Sequence, residues 1–414
     1  MARIPALDEG IKAKAKALMD VVGDGDLVVT AGAGSEPIYL MRALAERAKE
    51  LSRVRLAAGL ILTDYDFLQV PSINYVSWFP PTPREGAAIP RDRVDYLPFC
   101  WAQAADWLLT KVDVDVLILQ VSPADEQGYH SYGISSSYTA PAMDVAKRVI
   151  AEVNPQVPRT LGRRIHSSRF DGILEVDYPV LPFPSREPGE VDIEIGKHVA
   201  TLVPDGSTLQ VGVGSIPDSA QASIAEAGVK DLRLHSTLTR GGLHLVRGGS
   251  LAPGERTIRI GDVLGDQEVY DWIDENPMVE MVDARDTHRV SALVQVPNFV
   301  SIGSAISIDI YGQANMEYVD GVHAGAVGGA ADFTRAGMWP GNRSILALRS
   351  TTSGDRQSRI VPRIDGATVS VSREAVQYVV TEYGIADLGD KTVRERAEAL
   401  REIAHPKFRD SLTL

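Results

Sequence analysis

One cysteine, Cys100, stands among 414 residues, which excludes an intrachain disulfide framework. It lies in the apolar stretch DYLPFCWAQAADW and reads as a small core residue rather than a nucleophile, since free cysteine is most often buried and inert. No uninterrupted apolar run approaches the ~18 residues that a membrane span needs. The N-terminal stretch MARIPALDEGIKAKAKALMD has no apolar region of signal-peptide type. The expectation is a cytoplasmic protein with no membrane association. Positive charge is also scarce: 42 Lys and Arg against 55 Asp and Glu, a formal net charge of −13. Such a surface repels phosphate backbones, so nucleic acid is not an expected partner, although a local basic pocket for a phosphorylated cofactor is compatible with it. The eight histidines show no metal-ligand spacing, and H-E-x-x-H and C-x-x-C are both missing, so no structural or catalytic metal is expected.

What is there is an ordinary globular composition, 44% apolar and 23% charged, on a chain long enough for two or three domains. Residues 8–22 place Ile11, Ala15, Leu18, Met19 and Val22 at helical spacing. A short apolar strand, 26–32, runs into a glycine-rich turn. A helix over 37–51 and a strand over 55–62 follow. Residues 114–122 are almost continuously apolar, as in a strand covered on both faces, and 140–153 reads as a helix. Alternating strands and helices predict a parallel α/β sheet, with ligands at the carboxyl ends of its strands. The loops after Thr30, Val121 and Val213 are therefore the ones to watch. Residues 178–190, with four prolines, read as a linker. The alternation then restarts: helix 191–203, strand 208–213, helix 217–227, strand 231–236. Thr392 and Glu395 form a capping box that opens a final helix.

Several local patterns point to chemistry. TLQVGVGSIPDS (208–219) is a strand ending in G-x-G before a helix, a turn that can present N–H groups to an anion. Pro217 stands where a dinucleotide fingerprint has its third glycine, so a tight turn facing a site is the better reading. GAVGGAADF (325–333) carries adjacent glycines, which permit close backbone approach and oxyanion donors. Glu36, after TAGAGS, is where the helix dipole favours an acid and where an α/β enzyme would place a catalytic carboxylate. His130 and His323 lie in loop-like stretches and are candidate acid–base groups, though each also reads as a solvated loop histidine.

VSPADEQGYHSYGISSSYTAPAMDVAKRVIAEVNPQVPRT, LQVGVGSIPD, SIGSAISIDIYGQANME, GGAADF and QSRIVPRIDGATVSVSREAVQYVVTEYGIADLGDKTVRERA occur in this order along nearly the whole chain. Together they resemble the acetyl-CoA hydrolase/transferase group of CoA-transferases, which includes the 4-hydroxybutyrate CoA-transferases. The resemblance implies two α/β domains of shared type, 1–185 and 186–414, with the active site between them. It implies coenzyme A thioester chemistry, a carboxylic acid as second partner, and a homodimer or homotetramer. Family members pass the acyl group to a glutamate, the third residue of H-[ST]-E-M. Here the word is His235-Ser236-Thr237-Leu238, so Thr237 holds that place, and the acidic position three residues on is Arg240. Val213, Gly214, Gly328 and Gly329 match oxyanion and acyl-pocket elements, and Asn315 matches an asparagine near the thioester. The family's G-G-Q has become Gly328-Gly329-Ala330, and the asparagine of S-I-N-S-A-I has become Gly303; loss of the glutamine and glutamate side chains together suggests a larger or less polar acyl pocket.

The lost carboxylate decides the reading. A glutamate of pKa about 4.3 is about 99.8% ionised at pH 7. A threonine hydroxyl needs a base and cannot form an acid anhydride. On a regular strand His235 and Thr237 would share a face, with Cα atoms about 6.5–7 Å apart, so a His–Thr pair is conceivable. Three functions follow. The first is an acyl-CoA enzyme with no glutamyl-CoA intermediate, performing C–C or thioester hydrolysis or decarboxylation, with Glu36 or a histidine handling the proton. The second is a true CoA-transferase using another carboxylate, such as Glu36 or Glu317. The third is a non-catalytic acyl-CoA binder.

Overall fold

The computed structural model describes residues 8–64, 66–80 and 91–414; the first seven residues of the N-terminal stretch lie outside them. The chain is α/β and divides into two compact units, Met1–Phe183 with Arg259–Arg285, and Pro184–Ile258 with Asp286–Leu414. The segment Arg259–Arg285 is tied to the first unit by backbone bonds, Val263 N–H to Ile134 O (2.8 Å) and Ala284 N–H to Ser137 O (2.8 Å). The Ser135 hydroxyl adds a bond to Asp262 Oδ1 (2.7 Å).

The first unit is built on a seven-stranded parallel sheet. Its spatial order is Gly172–Glu175, Arg148–Val153, Val116–Val121, Leu27–Thr30, Val54–Ala58, Ile73–Ser77 and Val94–Tyr96. All six residues of Val116–Val121 are buried, as the apolar run predicts for a strand covered on both faces. The helix Glu9–Met19 starts where Asp8 accepts from Gly10 N–H (2.7 Å) and Ile11 N–H (3.3 Å). Helix Ile38–Ala48 buries Leu40 and Leu44 completely.

The helix expected over 140–153 is corrected. It spans only Thr139–Val145, and Arg148–Val153 is a strand. The apolar run Val149-Ile150-Ala151 reads equally as buried helix or buried strand. Its place between two parallel neighbours, Val116–Val121 and Gly172–Glu175, decides for strand. Cys100 is corrected too: it is half-buried at the start of helix Trp101–Thr110, not in the core.

The strand Arg148–Val153, second from one edge of the sheet, carries a charge-bearing group inward. Glu152 is fully buried and accepts from Leu40 N–H (2.6 Å) and from the Tyr178 hydroxyl. It thereby caps the start of helix Ile38–Ala48. Burial pushes its carboxyl up from 4.5 to about 7, against the hydrogen bonds that favour the ion. A folded-state value above the unfolded one means the protonated form is the one the fold prefers. Its stabilising contribution is full below about pH 4.5 and is lost as pH rises through about 7, a change of about 3 kcal/mol. Glu152→Gln, which keeps the shape, is expected to flatten the decline in stability between pH 5 and 8. Equal slopes for the two proteins in urea unfolding would show that Glu152 does not titrate.

The second unit carries a sheet in the order Gly384–Asp387, Tyr378–Thr381, Arg343–Ala347, Phe299–Ser304, Thr208–Val211 and Arg233–Thr239. Only Gly384–Asp387 runs antiparallel to its neighbour. Helices Glu190–Ala200 and Ser215–Glu226 belong to this unit. A small sheet of Ala314–Asn315, Ser307–Asp309 and Ile360–Val361 completes its core. The helix Val393–Glu402 begins with the expected capping box, Thr392 with Glu395. Among the described residues no helix is long and apolar enough to cross a membrane.

Candidate active site

Thr208–Val211 lies between Arg233–Thr239 and Phe299–Ser304, parallel to both, with Gln210 level with His235 and Val211 with Ile302. Gly212–Gly214, Thr237–Thr239 and Gly303–Ser304 therefore reach the carboxyl edge of the sheet side by side. That edge is where an α/β sheet receives ligands. Gly214 has φ +126°, a conformation that demands glycine, and opens the helix Ser215–Glu226. The N–H groups of Val213 and Gly214 have no protein acceptor among the described residues. Donors at a helix start suit an anion or a developing oxyanion.

Ser236 has φ +80°, so the strand is kinked next to Thr237. The alternation that would put His235 and Thr237 on one face requires extended backbone at the residue between them, so that premise does not hold here. His235 is buried and edge-on to Phe299, with centroids 6.4 Å apart. Thr237 is half-buried. No hydrogen bond to its hydroxyl is formed among the described residues, so no base is in place to deprotonate it.

Residues not expected from the sequence hold this kink. Ser236 Oγ lies 3.3 Å from His288 Nε2, and Thr287 Oγ1 lies 2.8 Å from His288 Nδ1. Burial, reinforced by nearby His235, pushes the His288 imidazole down to about 3, so it is neutral at physiological pH. Its ring packs on Phe333 at 4.8 Å. A Cβ on Gly329 would sit 2.6 Å from His288 Cδ2 and 2.3 Å from Phe333 Cε2. Only glycine allows this approach, and His288 thus joins the strand of Thr237 to the paired glycines. Gly328 has φ +55°, and Gly329 caps the helix Ala330–Gly337, in which Ala330 is the first residue.

Asn315 is buried, and its amide is engaged locally. Its Nδ2 donates to Tyr318 O (2.8 Å) and Ser307 Oγ (3.2 Å). Its Oδ1 accepts from the N–H groups of Glu317 (3.1 Å) and Tyr318 (2.9 Å). It fixes a turn that sets the position of Glu317. Gly303 is half-buried, and a Cβ there meets only ordinary contacts, Leu346 Cδ2 at 3.4 Å and Met316 Cε at 3.9 Å. Glycine is not sterically required at that position.

Eight of the nine candidate residues thus belong to the second unit, whereas Glu36 belongs to the first. Glu36 is 1% exposed. Its carboxylate accepts from Leu62 N–H, Thr63 N–H (3.2 Å) and the Thr63 hydroxyl (2.5 Å), anchoring the segment after strand Val54–Ala58. His130 is corrected: it is a buried strand residue rather than a solvated loop histidine. It lies 2.7 Å from Ser122 O and 2.9 Å from Ser167 Oγ, and burial lowers its pKa. Among the described residues no group of three or more His, Cys, Asp or Glu could hold a metal ion.

Comparison with known proteins agrees with this architecture. Residues 11–183 match the acetyl-CoA hydrolase/transferase N-terminal domain and residues 265–414 the C-terminal domain. The chain is 40% identical over 335 residues to a 4-hydroxybutyrate coenzyme A transferase of Clostridium kluyveri, covering 78% of each chain. It is 35% identical over 407 residues to a succinyl-CoA:cyclohexane-1-carboxylate CoA transferase of Geobacter metallireducens, covering 95% of this chain and 92% of the relative. A crystal structure of a 4-hydroxybutyrate CoA-transferase from Porphyromonas gingivalis superposes with a TM-score of 0.81 at 30% identity, over 96% of this chain and 95% of that one. The fold, the ordered motifs and these matches together make the chain a member of the acetyl-CoA hydrolase/transferase family.

Proposed function

We propose that this enzyme processes an acyl-CoA without passing the acyl group to a glutamate, by thioester hydrolysis, C–C hydrolysis or decarboxylation. The observation that carries the reading is Thr237 at the carboxyl edge of the sheet, where a carboxylate would form the covalent intermediate and a hydroxyl with no hydrogen-bonded base cannot. Backbone donors at Val213, Gly214, Gly328 and Gly329 polarise the thioester carbonyl, which serves as the electron sink.

A transferase using another carboxylate is the second reading, and relatives named as CoA transferases favour it. Against it, Glu36 is engaged by the segment at 62–63, and Glu317 Oε2 accepts from the hydroxyls of Ser370 (2.7 Å) and Thr368 (3.1 Å). The deciding experiment incubates the enzyme with a library of acyl-CoAs, with and without acetate, and reads the products by mass. Water addition with CoA release, C–C cleavage or loss of carbon dioxide is the expected result. A glutamyl-CoA adduct trapped by hydroxylamine or borohydride would establish the transferase instead. CoA binding by calorimetry without turnover of any thioester would leave a non-catalytic binder.

A further inference from the structure

The hairpin between Asn315 and the glycine loop brings together Glu317 and His323, six residues apart. Tyr318 pairs with His323 across its antiparallel strands, Tyr318–Val319 and Val322–His323. The two rings stack with centroids 4.8 Å apart and planes within 8°. This stack fixes the imidazole plane. His323 Nε2 then lies 3.7 Å from Glu317 Oε1. The carboxylate behind it is 6% exposed and the imidazole 19%, so an acid inside faces a ring that solvent reaches.

Each part of this pair is held from several sides. Glu317 Oε2 accepts from the Ser370 and Thr368 hydroxyls, which leaves Oε1 turned to the imidazole. The Glu317 backbone is pinned by Asn315 Oδ1 and by Ala324 and Gly325 N–H groups on its carbonyl, at 2.8 and 2.9 Å. Gly325 has no room for a Cβ, which would fall 2.4 Å from Met316 O. The pair therefore sits at the base of the Gly325–Gly329 loop, with His323 two residues before the loop's first glycine and Glu317 two residues after Asn315.

We propose that Glu317 and His323 form a carboxylate–imidazole pair that activates water for hydrolysis of the bound acyl-CoA. The inference rests on the functional reading above and narrows it to attack by water on the thioester. Glu317 Oε1, 3.7 Å from Nε2, stabilises the imidazolium through its charge, and the ring's other nitrogen takes the proton of the attacking water. The water oxygen bonds to the carbonyl carbon, the C–S bond breaks, and the imidazolium proton passes to the departing CoA thiolate. One water is consumed, a carboxylic acid and CoA thiol are formed, and nothing is oxidised or reduced. Glu317 acts as a positioning residue in this scheme, which agrees with its engagement by two hydroxyls.

The test measures thiol release from acetyl-, butyryl-, succinyl- and benzoyl-CoA by the full-length chain. His323→Gln is expected to lower kcat about 100-fold or more while KM stays within about threefold. Glu317→Gln removes the charge that favours the imidazolium. The acid limb of the kcat/KM profile, where activity rises as the base loses its proton, is then expected to move about one pH unit lower. Glu317→Asp should restore part of the rate and the position of the limb. If Glu317→Gln does not fold, His323→Gln and Glu317→Asp carry the test. Hydrolysis by His323→Gln at more than half the wild-type rate overturns the pair and leaves the functional reading standing. Wild-type protein that binds CoA by calorimetry but releases thiol from none of the four overturns the pair; the functional reading then falls only if the product analysis described above also shows no C–C cleavage and no loss of carbon dioxide.

Discussion

Thr237→Glu is expected to create CoA transfer between acetyl-CoA and a free carboxylate at a rate at least about 100-fold above the wild-type chain. The substitution restores an oxygen that is ionised at neutral pH and able to form both the anhydride and the glutamyl-CoA thioester. Its backbone setting is already in place: Ser236 holds φ +80°, His288 braces it, and the carboxyl edge with its open N–H groups at Val213 and Gly214 adjoins it. Borohydride trapping in the variant, absent from wild type, would identify the new intermediate at residue 237. Gly303→Asn and Ala330→Gln are the natural additions if transfer is weak. A Cβ at Gly303 meets only ordinary contacts, and residue 330 opens the helix after the paired glycines. A triple variant that still forms no adduct would mean that the pocket has been rebuilt beyond the nucleophile, and the idea of an inherited transferase site would fall.

Asp192→Ala is expected to give the largest loss of stability. Asp192 is fully buried in helix Glu190–Ala200 and grips Arg349 through two bonds of 2.7 Å, Nε to Oδ1 and Nη2 to Oδ2. It also accepts from Gly189 N–H (3.1 Å). Burial alone would raise its carboxyl pKa; the Arg349 guanidinium, Gly189 and the Ser215 hydroxyl overcome this and hold it below the usual carboxylate range. Ser215 is the first residue after Gly214, so Asp192 also steadies the turn at the candidate site. Removing one member of a buried pair strands the other and costs about 3–5 kcal/mol. With Arg349 still partly exposed, the lower end, about 3 kcal/mol, is expected. That corresponds to a fall in Tm of roughly 6–12 °C for a unit of this size. Because the folded-state value is depressed, the contribution is present above about pH 4 and disappears as pH falls through the folded value. Wild type and variant should converge in acid. A variant that melts within 2 °C of wild type at pH 7 would show that the pair is energetically neutral.

Most of the scaffold was legible from periodicity. The strand at 116–121 was read from its apolar run, and the final helix from its capping box, because both depend on local sequence and on burial of one kind. The segment at 148–153 was not, since Val-Ile-Ala suits a buried helix as well as a buried strand, and only its two parallel neighbours distinguish them. At the site the order of motifs located Thr237, Val213, Gly214 and the paired glycines. It could not find His288, which meets Ser236 across 52 residues of chain and belongs to no spacing pattern. Nor could it separate the histidines: His130 reads in sequence much like His323, yet one is enclosed between two oxygens and the other faces Glu317.

By itself the amino-acid order determined which chemistry is out of reach at residue 237, since a hydroxyl cannot form an acid anhydride in any fold. It also determined the family and the alternation of strands and helices, which follow from side-chain pattern. The tertiary structure alone decided which polar side chains hold the scaffold and which face solvent. Glu36, Asn315 and His130 proved to be engaged by their neighbours, while Glu317 and His323 came together. Burial and hydrogen-bond partners arise from long-range packing, and no short stretch of sequence contains them.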